Sequence, residues 1–151
     1  MLRNQQWTPM IVFSFARREC EHYTLHFASH LDLLSADEKK LVAQICDNAL
    51  DSLAEEDRQL HQITSLLPIL HRGIAPHHSG LLPILKEIVE ILFQESLIKI
   101  LFATETFALG INAPAKTVLF TELIKVRSLF MSFANCVRVC RFRFLNNPRA
   151  V

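Results

Sequence analysis

The chain has four cysteines, Cys20, Cys46, Cys136 and Cys140, and no CxxC spacing among them. No histidine pair at ligand spacing joins them, which excludes a zinc ribbon and a disulfide framework and fits a reducing compartment. Cys136 and Cys140 stand one helical turn apart, a spacing that more often reflects packing than pairing. Long apolar runs are missing too: each is broken by charge before the roughly 20 residues a membrane span needs. The first ten residues, MLRNQQWTPM, hold no apolar core of signal-peptide length. A soluble, intracellular protein with no membrane partner is expected. There is no internal repeat, low-complexity tract or Gly/Ser linker. Negative charge is absent after Glu122, whereas Lys125, Arg127, Arg138, Arg141, Arg143 and Arg149 follow it, so a formal charge of +1 hides a balanced body and a basic tail.

What is present is enough for one core: 151 residues, 50% of them hydrophobic. Met10 to Phe15 (MIVFSF) reads as a strand, and the charged segment after it starts a helical pattern through about Ala28. Ala36 to about Leu60 reads as one helix capped by Ser35, with Leu41, Ile45, Ala49 and Leu53 spaced by four. Pro68 interrupts the next apolar stretch, and residues 72–80 (RGIAPHHSG) combine a short extended piece with turn residues. The clearest helix follows Gly80. Pro83 suits its first turn, Leu81, Leu85, Ile88 and Leu92 form the buried stripe, and Ser96 marks its end. Ile98 to Ala103 (IKILFA) and Thr117 to Thr121 (TVLFT) have the β-branched and aromatic composition of central parallel strands. Strands alternating with helices give an α/β fold with a covered parallel sheet. The character of the sequence changes after Thr121.

Three segments, each after an expected strand, carry the chemistry: Ser14 and Phe15, residues 77–83 (HHSGLLP), and residues 103–114 (ATETFALGINAP). Ligands of open α/β sheets bind outside the carboxyl ends of the strands, so these three loops should meet along one edge. Ser79, ahead of Gly80 and a helix start, offers a hydroxyl and free backbone N–H groups to a phosphate oxygen, and Thr104 and Thr106 do the same. Gly110 permits close backbone approach, and Asn112 both donates and accepts, as a ribose hydroxyl requires. The same residues serve structure equally well on spacing alone: the threonines as caps, Asn112 as a turn residue, Gly110 as a helix stop, and His77 and His78 as packed or solvent-facing imidazoles. A Ser-His-acid hydrolase built on Ser79 and His78 fails on pattern, because no GxSxG elbow places the serine.

Taken together, IVFSFARRECE, EEDRQL, RGIAPHHSGLLPILKEIVEILFQE and LIKILFATETFALGINAPAKTVLFT resemble the DExH-type, Ski2-like RNA helicases that serve the nuclear RNA exosome. The resemblance runs from about Pro9 to Thr121. The cytoplasmic helicase of the antiviral and messenger-decay complex is the nearer rival, and the acidic stretch 49–60 (ALDSLAEEDRQL) favours the nuclear group. It implies a RecA-like parallel sheet flanked by helices, incomplete at its C-terminal side: residues 1–8 an extension, 9–121 a partial second lobe, and 122–151 a divergent basic, Phe-rich tail. It also implies a two-lobed motor moving 3′ to 5′ on single-stranded RNA. In it Ser14, Phe15, His78, Ser79, Gly80, Thr104, Glu105 and Thr106 fall in RNA-facing motifs, and Gly110 and Asn112 approach ATP. Single-stranded RNA, the first RecA-like lobe, and the exosome with its adaptors are the implied partners, and the nucleus the implied compartment, with the cytoplasm as alternative.

Several departures bear on that expectation. Leu109 and Ala113 replace residues usual in the family, and Pro76 removes a backbone donor from an expected strand. No GxxxxGK[ST] loop, DExH box or QMSGRAGR motif occurs in the chain. Those parts hold phosphates and Mg²⁺ and supply the arginine finger, whose loss costs ~10³ to 10⁵ in rate. ATP and Mg²⁺ therefore belong to a complete helicase. Neither is expected to bind this chain tightly, no catalytic or metal-ligating residue is expected within it, and its status as an enzyme stays open. In the tail, Val126, Phe130, Phe133, Val137 and Cys140 recur at helical spacing, as a basic amphipathic helix or as a segment free of functional selection.

Overall fold

A computed structural model describes residues 7–105, 107 and 114–121, and the backbone of 141–144. Its elements run β1 (Met10–Phe13), α1 (Arg17–His30), α2 (Ala36–Leu50), α3 (Glu55–Arg58), α4 (His61–Leu70), β2 (Ile74–His77), α5 (Pro83–Gln94), β3 (Ile100–Ala103), β4 (Thr117–Phe120) and β5 (Arg141–Phe144). The strands form one five-stranded sheet, ordered β2-β3-β1-β4-β5, and every pairing is parallel. The α/β fold with flanking helices is thus what the sequence predicts. β5 falls within the segment 122–151 set apart on sequence character, and it continues the sheet beside β4.

Each strand is four residues long, and β1, β2 and β3 are buried throughout, which is why they read as unbroken apolar runs rather than alternations. The register sorts their side chains onto two faces. Ile11, Phe13, Ala75, Leu101, Ala103, Val118 and Phe120 join one core with α2, α4 and α5, where Phe13 and Phe120 stack at 5.5 Å. Met10, Val12, Ile74, Ile100 and Phe102 form the other core against α1, which lays Tyr23 and Phe27 over Phe102. α5 carries the expected stripe, with Leu85, Ile88 and Leu92 at 0% exposure, and begins at Pro83.

Three expectations are corrected. Ala36–Leu60 is not one helix: α2 stops at Leu50, and α3 follows a break. The break is held by Arg58, which donates to the carbonyls of Asp51 and Leu53 at 3.1 and 3.2 Å. The buried stripe of α2 is Val42, Cys46 and Leu50, and Leu41 is 50% exposed. Pro68 does not interrupt its helix but lies inside α4, on the exposed side, where the carbonyl left without a donor meets water. The Ser35 cap is present as a full capping box with Glu38. Glu38 in turn accepts from Lys99 at 2.7 Å, tying the start of α2 to the turn before β3.

The departure at Pro76 is accommodated by edge position. The carbonyls of Gly73 and His77 accept from Ile100 and Thr104 of the β3 side, so the nitrogen of Pro76, between them in phase, faces the outer edge and removes no ladder bond. Gly73, at φ 77°, ends α4 in a conformation where a Cβ would sit 3.0 Å from Leu34. The helical series Val126 to Cys140 of the tail lies outside the described residues.

Candidate functional site

Because the ladder is parallel and in register at Phe13, Ala103, His77 and Phe120, the next residue of each strand falls on one line. Backbone bonds lock that line: Thr104 N–H to His77 O at 3.1 Å, Ser14 N–H to Ala103 O at 3.0 Å, and Thr121 N–H to Phe13 O at 3.0 Å. His78, Thr104, Ser14 and Thr121 therefore form a row along the carboxyl edge, their side chains on the α1 side. Three of the four are candidates named from sequence. Thr121 is the one missed, although its place directly after TVLF was a visible signal; its hydroxyl has no partner among the described residues.

The row is mostly built in rather than displayed. Ser14 is fully buried and donates to the Glu19 carboxylate on the first turn of α1. Phe15, half-buried, packs against the main core. Thr104 is buried, its carbonyl accepts from Phe107 N–H at 3.1 Å, and Glu105 beside it is exposed. Thr106, Gly110 and Asn112 lie outside the described residues, and with them the positions the resemblance assigns to ATP. Among the described residues no group of three or more His, Cys, Asp or Glu is placed to hold a metal ion.

The two histidines separate onto opposite faces. His77 Nε2 meets the Glu90 carboxylate of α5 at 2.8 Å, and its ring stands edge-on to Phe107 at 4.7 Å. Burial pushes its pKa below the ordinary 6.5, the Glu90 bond opposing but not reversing this, so the ring is neutral with its proton on Nε2. His78, on the α1 side, accepts from the Gly80 N–H through Nδ1 at 3.1 Å, which leaves the proton on Nε2. That nitrogen approaches Glu21 at 3.3 Å without the direction of a hydrogen bond, so the contact is Coulombic, and burial again lowers the pKa. Neither ring is free to act as an acid or base: His77 is packed against α5 and His78 shapes the turn.

Ser79 is the exposed tip of that turn. Neither its hydroxyl nor its N–H has a partner among the described residues, and it stands ahead of α5. The Arg17 Cδ passes 3.6 Å from where a Cβ on Gly80 would lie, and its positive charge acts on the neighbouring His78 ring. Free N–H, hydroxyl and cation around a glycine turn suit one phosphate of a backbone. Gln62 of α4, which sequence reasoning passed over, holds the turn from behind: it donates to Gly80 O at 3.1 Å and accepts from Leu82 N–H at 2.7 Å. The buried thiols of Cys20 and Cys46 are both pushed up to about 11 by desolvation and take no part.

On the motifs quoted above, carried here by a parallel sheet, the chain belongs by sequence to the family of Ski2-like DExH-box RNA helicases, of which it matches one segment. Over 125 residues, 83% of the chain, it is 56% identical to the DExH-box ATP-dependent RNA helicase DExH10 of Arabidopsis thaliana, covering 12% of that protein. It is 54% identical over 125 residues to the Exosome RNA helicase MTR4 of Homo sapiens, again 12% of its length. It is 44% identical over 124 residues to the Antiviral helicase SKI2 of Saccharomyces cerevisiae, covering 10% of it. No family model matches the chain. The chain thus spans about an eighth or less of the length of these curated relatives. No helix among the described residues is long and apolar enough to cross a membrane.

Proposed function

We propose that the chain is the bulk of the second RecA-like lobe of an ATP-dependent RNA helicase, a segment that binds single-stranded RNA along the carboxyl edge of its sheet and does not hydrolyse ATP alone. The observation that carries the reading is the exposed Ser79 turn, whose N–H and hydroxyl have no partner among the described residues, directly after His78 of the row His78, Thr104, Ser14 and Thr121. Residues 9–121 form the lobe, preceded by the extension 1–8, and the divergent segment 122–151 lends the sheet one strand. Gly110 and Asn112 are the ATP-facing positions. ATP and Mg²⁺ act only with a first lobe that brings the phosphate loop and the DExH box, and hydrolysis in such a pair moves the motor 3′ to 5′ along RNA. Identity to MTR4 above that to SKI2 supports the exosome-linked, nuclear group over the cytoplasmic one.

The test is a fluorescence-anisotropy titration of labelled single-stranded RNA with the monodisperse chain, beside its Thr104→Ala, Thr106→Ala double variant, and an ATPase assay on the same sample. The reading requires RNA binding that weakens by about tenfold or more in the double variant, with no hydrolysis above background. RNA binding identical in both proteins, or none in either, refutes it. ATP turnover by the chain alone refutes its second half.

A further inference from the structure

The turn that displays Ser79 is not held by its own bonds alone. α5 starts at Pro83, which has no N–H, and its N-cap, Leu82, contributes no side-chain bond. Leu81 N–H reaches back to His78 O at 3.1 Å, and Gly80 N–H is taken by the His78 ring. That leaves the Gly80 carbonyl and the Leu82 N–H, two opposed backbone groups on either side of Leu81. Gln62, half-buried on the first turn of α4, meets both with one amide. A primary amide is the side-chain group able to donate and accept in one plane, as this pair requires. The contacts span 18 and 20 residues in sequence, so they tie α4 to the turn rather than reinforcing a local structure.

From this geometry we infer that Gln62 is a positioning residue for RNA: its amide sets residues 80–82 so that the Ser79 N–H and hydroxyl point outward in the conformation a backbone phosphate meets. The inference rests on the RNA-binding reading above and adds to it a residue that does not touch RNA. Pre-ordering of the turn matters because a phosphate offered a mobile loop must supply its ordering entropy on binding. The amide contributes through hydrogen bonds and not through bulk, so a methionine of the same length keeps the packing of α4 and loses the function.

The experiment measures single-stranded RNA affinity by anisotropy for the wild type, Gln62→Met, Ser79→Ala and the double variant, with amide hydrogen exchange at Leu82 and melting temperature recorded for each. The expected result is an affinity loss of about tenfold in Gln62→Met, exchange at Leu82 faster by about tenfold or more, and little change in melting temperature. Ser79→Ala should weaken the wild type yet add little in the Gln62→Met background, since a hydroxyl that is no longer aimed has nothing left to lose. Wild-type affinity in Gln62→Met while Ser79→Ala still weakens binding overturns the inference and leaves the RNA reading standing. Absence of RNA binding by the wild type overturns the RNA reading, and the positioning role with it, a result told apart by its independence of residue 62.

Discussion

A methyl group on Gly80 would sit 3.1 Å from His78 Nδ1, as close as the Gly80 nitrogen that donates to the same atom and tighter than an ordinary carbon contact. The ring would have to tilt, and a buried imidazole then loses its acceptor bond. Gly80→Ala is therefore expected to reduce RNA affinity by roughly tenfold at a stability cost of about 1 kcal/mol, read by anisotropy and by urea midpoint respectively. The two histidines carry a second consequence. Burial depresses both pKa values below 6.5, so below that pH the unfolded chain takes up protons that the folded chain resists. Stability is then flat above about pH 7 and falls as the pH drops through 6.5 towards the depressed folded values. The urea midpoint should be lower at pH 5.5 than at pH 7.5, and the gap should narrow in a His77→Gln, His78→Gln double variant; an unchanged gap would remove these rings as its source. At this scale the motifs were readable as residues but not as roles. The pattern HHSG does not say that one ring faces α5 and the other the turn, because that follows from strand phase, and Gln62 carries no mark at all.

The helices show where periodicity is a sufficient guide and where it is not. α5 was legible because its stripe, its Pro83 start and its end just before Ser96 agree. Ser96 itself stands at φ 58°, where a Cβ is unfavourable, with Leu97 N–H returning to Leu92 O at 2.8 Å behind it. Ser96→Gly should raise stability by roughly 0.5–1 kcal/mol, seen as a higher urea midpoint at constant slope. In α2 two neighbouring series compete, Leu41/Ile45/Ala49/Leu53 and Val42/Cys46/Leu50, and a four-residue spacing cannot choose between lines one residue apart. Packing against α5 in the main core chooses the second. Leu50→Ala should accordingly cost about 2–5 kcal/mol and Leu41→Ala less than about 0.5 kcal/mol; equal costs would place the first series in the core instead. The break after Leu50 was invisible for a different reason: no Gly or Pro marks it, and Arg58 secures it from seven residues away. Likewise Pro68 reads as a breaker, yet an exposed position late in a ten-residue helix tolerates it.

For the whole molecule, net charge and site make opposed demands that salt dependence separates. A formal charge of +1 offers little long-range attraction to a polyanion, so RNA held at the carboxyl edge must be bound by a few short contacts. Of the groups at this edge only Arg17 is cationic, so about one counterion is released, and the slope of log affinity against log salt should be about −0.7 for single-stranded RNA. The residues after Glu122 hold six basic side chains, counted from Lys125 through Arg149, and no acid. Binding carried by that segment would release more ions and give a slope nearer −4. Titration at several salt concentrations from about 50 to 300 mM, on the wild type and on Ser79→Ala, distinguishes the two. A shallow slope, with affinity reduced by Ser79→Ala and slope unchanged by it, places RNA on the turn through hydrogen bonds. A steep slope insensitive to Ser79 moves the RNA onto the basic segment and leaves the carboxyl edge without a ligand.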